Sequence, residues 1–236
     1  MNDVQTLKQH AYDNILRRLE SGGFAPGARL ADDAISKELG VSRSPVREAI
    51  LQLPGEGLIE QRPRYGAFVH VPDREELSEL FEARLALESF AAGWAAERRS
   101  NRDLKKLLKL TERMSDVSKR CSEISGPICD AGITEEFLKV DYQTHLLVVK
   151  MAGNRKVFQM IRVCRVLSRV FSLAALEHVS DVILQSISQH EEFVQAIADK
   201  DAQRATEAMA RHIEYAGKRM MTAYERVDGT ARVVSD

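Results

Sequence analysis

At Val71-Pro72-Asp73-Arg74 the chain changes its punctuation, and this break constrains the fold more than any other feature. Before it, helical patterns are short and end in glycine or proline. After it, long amphipathic patterns follow one another. Pro72 stops what precedes it, and Asp73 can cap a new helix. Two parts are expected, residues 1–72 and 73–236. A chain of 236 residues admits one large domain or two small ones. Six prolines, 13 glycines and 6% aromatic residues favour long helices, so the expected class is mainly α.

In the first part, Leu7, Ala11, Ile15 and Leu19 share helical spacing and predict a helix over roughly residues 6–20. "SGGFAPGARL" breaks it. "DDAISKELG" predicts a short helix that stops at Gly40. "VSRSPVREAILQL" predicts a third helix, capped by Ser42 or Ser44, with Pro45 tolerated in its first turn. Pro54-Gly55 should end or kink that helix near Leu53. "GLIEQRPRYGAFVHV" holds two strand-like runs around Pro63 to Gly66, a hairpin signal. Helix, helix, turn, helix, hairpin is the order of a winged helix-turn-helix. Such a module lays its second helix in the DNA major groove, N-terminal side chains against base edges. Arg43 and Arg47 suit guanine, while Ser42 and Ser44 suit phosphate. Arg62, Arg64 and Tyr65 flank Gly66 at the wing tip. Residues 1–72 hold nine Lys/Arg and nine Asp/Glu. The reading therefore rests on where the arginines sit; in isolation they would read as solvated helix charges.

The second part predicts six helices, at roughly residues 73–99, 101–120, 133–151, 155–176, 180–199 and 201–225, an all-α bundle. Within it, "DYQTH" sets Asp141 and His145 four residues apart on one helix face, beside Leu138, Val148 and Val149. Alone, such a pair reads as a local ion pair or a solvent edge. His190 shares a stripe with Ile183, Ile187, Val194 and Ile197, and His212 shares one with Ala205, Ala208, Met209 and Ala216. Each histidine alone reads as an ordinary core residue. Together, three imidazoles and one inward carboxylate have the composition of a bundle-core metal site. Zinc is the first choice, with nickel, manganese and iron as alternatives. Arg162, Arg165 and Arg169 form a stripe that could line the bundle cavity but reads first as a solvated face, and His10, His70 and His178 read as structural or surface residues. Cys121, Cys129 and Cys164 are odd in number and lack C-x-x-C spacing, which reads as free thiols in a reducing compartment. With no apolar signal core and no run approaching a membrane span, the expected location is the cytoplasm and no membrane partner is expected.

"LADDAISKELGVSRSPVREAILQLPGEGLIEQRPRYGAFV" resembles the DNA-binding domain of GntR-family transcription regulators. The resemblance implies operator contacts from Ser42, Arg43, Ser44 and Arg47, and a wing tip at Gly66 that reaches the minor groove. Asp33 stands where some members carry another operator-contacting arginine, so that contact is not carried over. Asp141, His145, Gly153-Asn154, His190, Ala196-Ile197, Asp199 and His212 follow the order of the FCD ligand-binding domain. That resemblance implies a metal held by Asp141, His145, His190 and His212. It also implies an effector-binding Arg84 in "FEARLALE" and an effector-binding Asn154; the residues themselves allow instead a surface or dimer-interface ion pair of Arg84 with Glu88. Homodimerisation is likewise implied. Six helices match the metal-binding branch.

The expected function is a metabolite-responsive regulator of double-stranded operator DNA, a repressor, whose effector is a small carboxylate-containing metabolite. The rival is a metal-dependent hydrolase or lyase, since an open His/Asp site can activate water; no general base is evident beside the ligands. A third reading keeps the regulator but leaves the site without metal.

Overall fold

A computed structural model describes residues 2–53, 57–124, 126–175 and 180–233, with side chains at 6–53, 57–124, 126–172 and 180–226. The expected kink at Pro54-Gly55 and the reading of His178 lie outside the described residues. The chain separates into two compact units, Met1–Pro72 with Val166–Ala174, and Asp73–Arg165 with Ala175–Asp236.

In the first unit, α1 (Asn2–Ser21) buries Ala11, Ile15 and Leu19, whereas Leu7, at the head of that stripe, is 38% exposed. Helix α1 packs on α3 (Arg43–Ile50), which also contacts α2 (Asp32–Leu39). Gly40 ends α2 in the left-handed conformation, and the next amide, Val41, donates to the Ser36 carbonyl at 3.0 Å. Ser42 holds the N-cap position of α3 without a side-chain cap bond, and Pro45 falls in the first turn. Helix α3 is sharply two-faced. Pro45, Val46, Ala49 and Ile50 are buried, while Ser42, Arg43, Ser44 and Arg47 are exposed. Strands β1 (Ile59–Arg62) and β2 (Gly66–Val69) pair antiparallel, Ile59 opposite Val69 and Arg62 opposite Gly66. The Ala28–Leu30 segment extends this wing, because Leu30 N–H donates to the Ala67 carbonyl and Val69 N–H to the Ala28 carbonyl, both at 2.8 Å.

In the second unit, α4 (Arg74–Arg98) packs along α9 (Ala202–Val233) and also contacts α6 (Ala131–Met151) and α8 (Ser180–Ala198). Helix α5 (Asn101–Ser122) lies against α6 and α8, and α7 (Arg155–Ala175) follows α6. Asp73 caps α4 in a reciprocal capping box with Glu76. The closeness of α4 and α9 depends on Gly93, where a Cβ would stand 2.5 Å from Thr206 Oγ1 and 3.2 Å from the Ala202 carbonyl oxygen. Two arginines at the end of α4 lock neighbouring helix ends. Arg98 donates to the Ala152 carbonyl at 2.6 Å, and Arg99 to the carbonyls of Ile197 (2.9 Å) and Ala198 (2.6 Å). They supply donors and positive charge to carbonyls at the C-termini of α6 and α8.

One expectation fails here. Cys121 and Cys129 are not free thiols but a disulfide, their Cα atoms 5.9 Å apart. The turn between α5 and α6 folds back sharply enough to bring residues eight apart in sequence into bonding range, a closure that spacing alone does not reveal. Cys164 takes part in no disulfide.

Candidate metal centre and nucleic-acid interface

The four ligand candidates meet inside the second unit. Asp141 and His145 come from α6, His190 from α8 and His212 from α9. Their ligating atoms all lie within 4.8 Å of one another. The three histidines are at most 1% exposed, and the Asp141 side chain is 17% exposed. Each imidazole is oriented through Nδ1. His145 Nδ1–H donates to Glu88 Oε2 at 2.5 Å, His190 Nδ1–H to the Ser186 carbonyl at 2.7 Å, and His212 Nδ1–H to Gln189 Oε1 at 3.2 Å. A neutral imidazole with its proton on Nδ1 leaves a lone pair on Nε2.

These lone pairs point at one another. His145 Nε2 stands 3.1 Å from His212 Nε2, and His190 Nε2 stands 3.2 Å from Asp141 Oδ1. His145 Nε2 is 3.6 Å from the same oxygen. His190 Nε2 is fully buried and has no hydrogen-bond partner. Four convergent acceptors without an intervening proton repel one another and call for a cation. The spacings also suit one, because ligand atoms about 2.0–2.1 Å from a tetrahedral zinc stand about 3.3 Å apart. The residue set therefore fits a divalent metal.

The electrostatics agree. Burial, then the nearby Arg165 charge, pushes the His145 imidazolium down to about 4. Burial, then His190 and His145, pushes His212 well below the usual histidine range. Both rings are neutral at neutral pH, the form that ligates metal. Burial opposes the charge on Asp141, but the Arg165 guanidinium outweighs it and holds the carboxyl well below its usual range. Glu88 is likewise held ionised against burial by Arg84, then His145.

Arg84 and Glu88 are 2% and 0% exposed and paired at 2.7 Å. Of the two alternatives for Arg84, its ion pair with Glu88 is present, but buried instead of on the surface. Arg165 pairs with Asp141. This corrects the solvated-face reading of its stripe, since Arg165 and Arg169 are each 5% exposed. Asn154 is not brought to the cluster. Its Oδ1 accepts from the amides of Lys156 and Val157 at 3.0 and 3.2 Å, capping α7 beside a surface hollow lined by Arg98 and Arg155.

On the first unit, Ser42, Arg43, Ser44 and Arg47 share the exposed face of α3. Arg47 is not idle, because it pairs with Asp32 of α2. Arg62 pairs with Glu60 at 3.1 Å and lies over the Phe68 ring at 4.5 Å. Arg64 has φ 69° and Gly66 φ 104°, and the adjoining Tyr65 is 70% exposed, so the hairpin turn projects its side chains outward.

Comparison with known proteins gives the same division. The profile of bacterial regulatory proteins of the gntR family matches residues 7–69, and the FCD-domain profile matches residues 79–215. The chain belongs to the GntR family of transcriptional regulators, with an FCD domain. Its relatives include the repressor RspR of Escherichia coli, 24% identical over 222 residues, covering 91% of this chain and 89% of that one. The uncharacterized regulator YdhC of Bacillus subtilis is 23% identical over 211 residues, covering 86% of each. The fold is that of Escherichia coli McbR/YncC, with TM-score 0.76 at 21% identity over 94% of this chain and 98% of that one. As a GntR-family member the chain is a DNA-binding transcriptional regulator, not an enzyme, and the hydrolase or lyase reading falls. The FCD domain is an effector-binding domain associated with metal binding. Among the described residues no helix is long and apolar enough to cross a membrane.

The buried places of Glu88 and Arg165 beside the ligands are not read from the sequence. Glu88 and Arg84 occupy inward positions of the stripe Leu77, Phe81, Arg84, Glu88, Ala91, Ala95, all buried. Arg165 lies one turn beyond buried Ile161 on α7. A polar residue inside an apolar stripe was the available signal, the same one that exposed His190 and His212.

Proposed function

We propose that this GntR regulator is a cytoplasmic repressor that works as a homodimer on a short palindromic operator and is released by a small organic acid. The observation that carries the effector side is the convergence of four buried ligand atoms within 4.8 Å, one of them, His190 Nε2, without a partner. Asp141, His145, His190 and His212 would hold a divalent ion, zinc by ligand type. When bound, such an ion supplies a Lewis acid with open positions for a carboxylate oxygen.

The chain's own residues do the rest. Glu88 fixes the His145 tautomer through Nδ1. Arg165 holds the Asp141 carboxylate. Arg84 keeps a fixed positive charge beside the site and favours an anionic ligand. Asn154 acts as the cap of α7, so any effector role for it passes through the start of that helix. On DNA, Arg43 and Arg47 read base edges, Ser42 and Ser44 hold phosphates, and Arg62, Arg64 and Gly66 bring the wing to the backbone or minor groove. An acid shifts DNA binding only by the difference in its affinity for the two states of the protein.

The test is operator binding by the zinc-loaded protein, using DNA from upstream of its own gene, against a panel of organic acids chosen by thermal shift. At least one acid should raise the unfolding temperature and weaken operator binding. If acids that stabilise the protein leave operator binding unchanged, the proposal fails.

A further inference from the structure

We propose that Cys121 and Cys129 are a reversible redox pair whose oxidation tightens metal binding at Asp141, His145, His190 and His212. The inference rests on the metal reading of that site and adds its regulation.

The pair is built into the core that carries the ligands. Both cysteines, 1% and 2% exposed, belong to one buried cluster with Phe137 and Leu138 of α6 and Ile183 and Ile187 of α8. Phe137 precedes Asp141 by one helical turn, and its ring meets the His190 ring edge-on with centroids 6.5 Å apart. Ile187 precedes His190 by less than a turn on the same buried face. The segment between the cysteines is also tied to the start of α8. Ser180 N–H donates to the Pro127 carbonyl at 2.9 Å, and Ser180 Oγ–H to the Gly126 carbonyl at 3.2 Å. The sulfurs thus sit where α5, α6 and α8 are joined, and α6 and α8 supply Asp141, His145 and His190.

Closing the bridge removes freedom from that junction before any metal arrives. A site whose ligand-bearing helices are already ordered loses less conformational entropy on binding, so affinity rises without a new ligand contact. Access comes through the segment itself: Glu123, Gly126, Pro127 and Ile128 are exposed, Ile128 by 58%. Local opening of this short stretch presents a thiol to solvent.

The chemistry is thiol–disulfide exchange with a low-molecular-weight disulfide, RSSR. One cysteine thiolate attacks RSSR, forms a mixed disulfide and releases RS⁻. The second cysteine thiolate attacks the protein sulfur of that mixed disulfide, forms the Cys121–Cys129 bond and releases a second RS⁻. Two electrons pass from the protein dithiol to RSSR, and the two cysteine protons end on two RSH.

The experiment equilibrates the full-length protein across a series of glutathione to glutathione-disulfide ratios. It then counts thiols by maleimide mass tagging after denaturation, and measures zinc affinity of each form against a chromophoric chelator. With three cysteines in the chain, the expected result is a shift from three tags to one, Cys164 being the constant third. The one-tag form should bind zinc roughly tenfold more tightly. The C121A/C129A variant should keep the affinity of the reduced protein in every buffer, which excludes zinc capture by the free thiols. Comparing the two forms of the unmodified protein carries the test even if that variant folds poorly. Three tags at every ratio, or equal affinity in the two forms, overturns the proposal while leaving the metal site standing. Absence of zinc binding in both forms overturns the metal reading and this coupling together.

Discussion

The winged unit and the helical unit use arginine in opposite ways. On α3 and the wing, Arg43, Arg47, Arg62 and Arg64 are exposed, over an apolar face that already holds the helix in place. In the bundle, Arg84 and Arg165 are buried against Glu88 and Asp141. A surface arginine can be lost without touching the fold. A buried one belongs to a charge network in which each member keeps another from being stranded, and there function and stability cannot be separated.

That contrast sets an order of expected effects. The largest is Glu88→Ala, which removes the carboxylate paired with the buried Arg84 guanidinium and the acceptor of His145. Breaking a buried pair on one side costs about 3–5 kcal/mol, so the unfolding temperature should fall steeply in a thermal scan. A variant as stable as the parent would mean that the bundle does not bury these charges. Glu88→Gln is the gentler form of the same question. Loss of an outer-shell partner of a metal histidine weakens affinity by about 10–100-fold, to be read by chelator competition on folded protein.

Next comes Arg43→Ala. It should leave the unfolding temperature unchanged but cost about 1–3 kcal/mol of discrimination between operator and scrambled DNA, measured by fluorescence anisotropy at fixed salt. Equal loss on both sequences would make Arg43 a phosphate contact and not a reader of bases. The smallest effect belongs to Asp32→Asn, which releases Arg47 from its exposed ion pair. Such pairs contribute about 0–1 kcal/mol, so operator binding should tighten by a few-fold at most. A loss of binding would show that Asp32 aims Arg47 at the DNA.

The same contrast explains what was legible in the sequence. The winged unit could be read nearly residue by residue, because turn chemistry at Gly40, the two-faced pattern of α3 and the hairpin around Gly66 are local signals. The helices of the bundle were legible from periodicity, and His190 and His212 from their places on apolar stripes. The burial of Glu88 and Arg165 at the site was not. A charged residue on a long helix reads as solvated until the packing partner is known, and the partners here are brought together from α4, α6 and α7. The place of Asn154 was hidden for a related reason: order in a motif does not show that its side chain caps α7. The Cys121–Cys129 bond was hidden because its closure depends on how tightly one turn folds back.

The central claim is that Asp141, His145, His190 and His212 are metal ligands and not a buried polar cluster. Metal content by inductively coupled plasma mass spectrometry, on the purified protein and on its His190→Ala/His212→Ala variant, tests it most directly. The account predicts about one divalent ion per chain in the parent and almost none in the variant. Equal metal in both, or none in a parent dialysed against zinc, would contradict it.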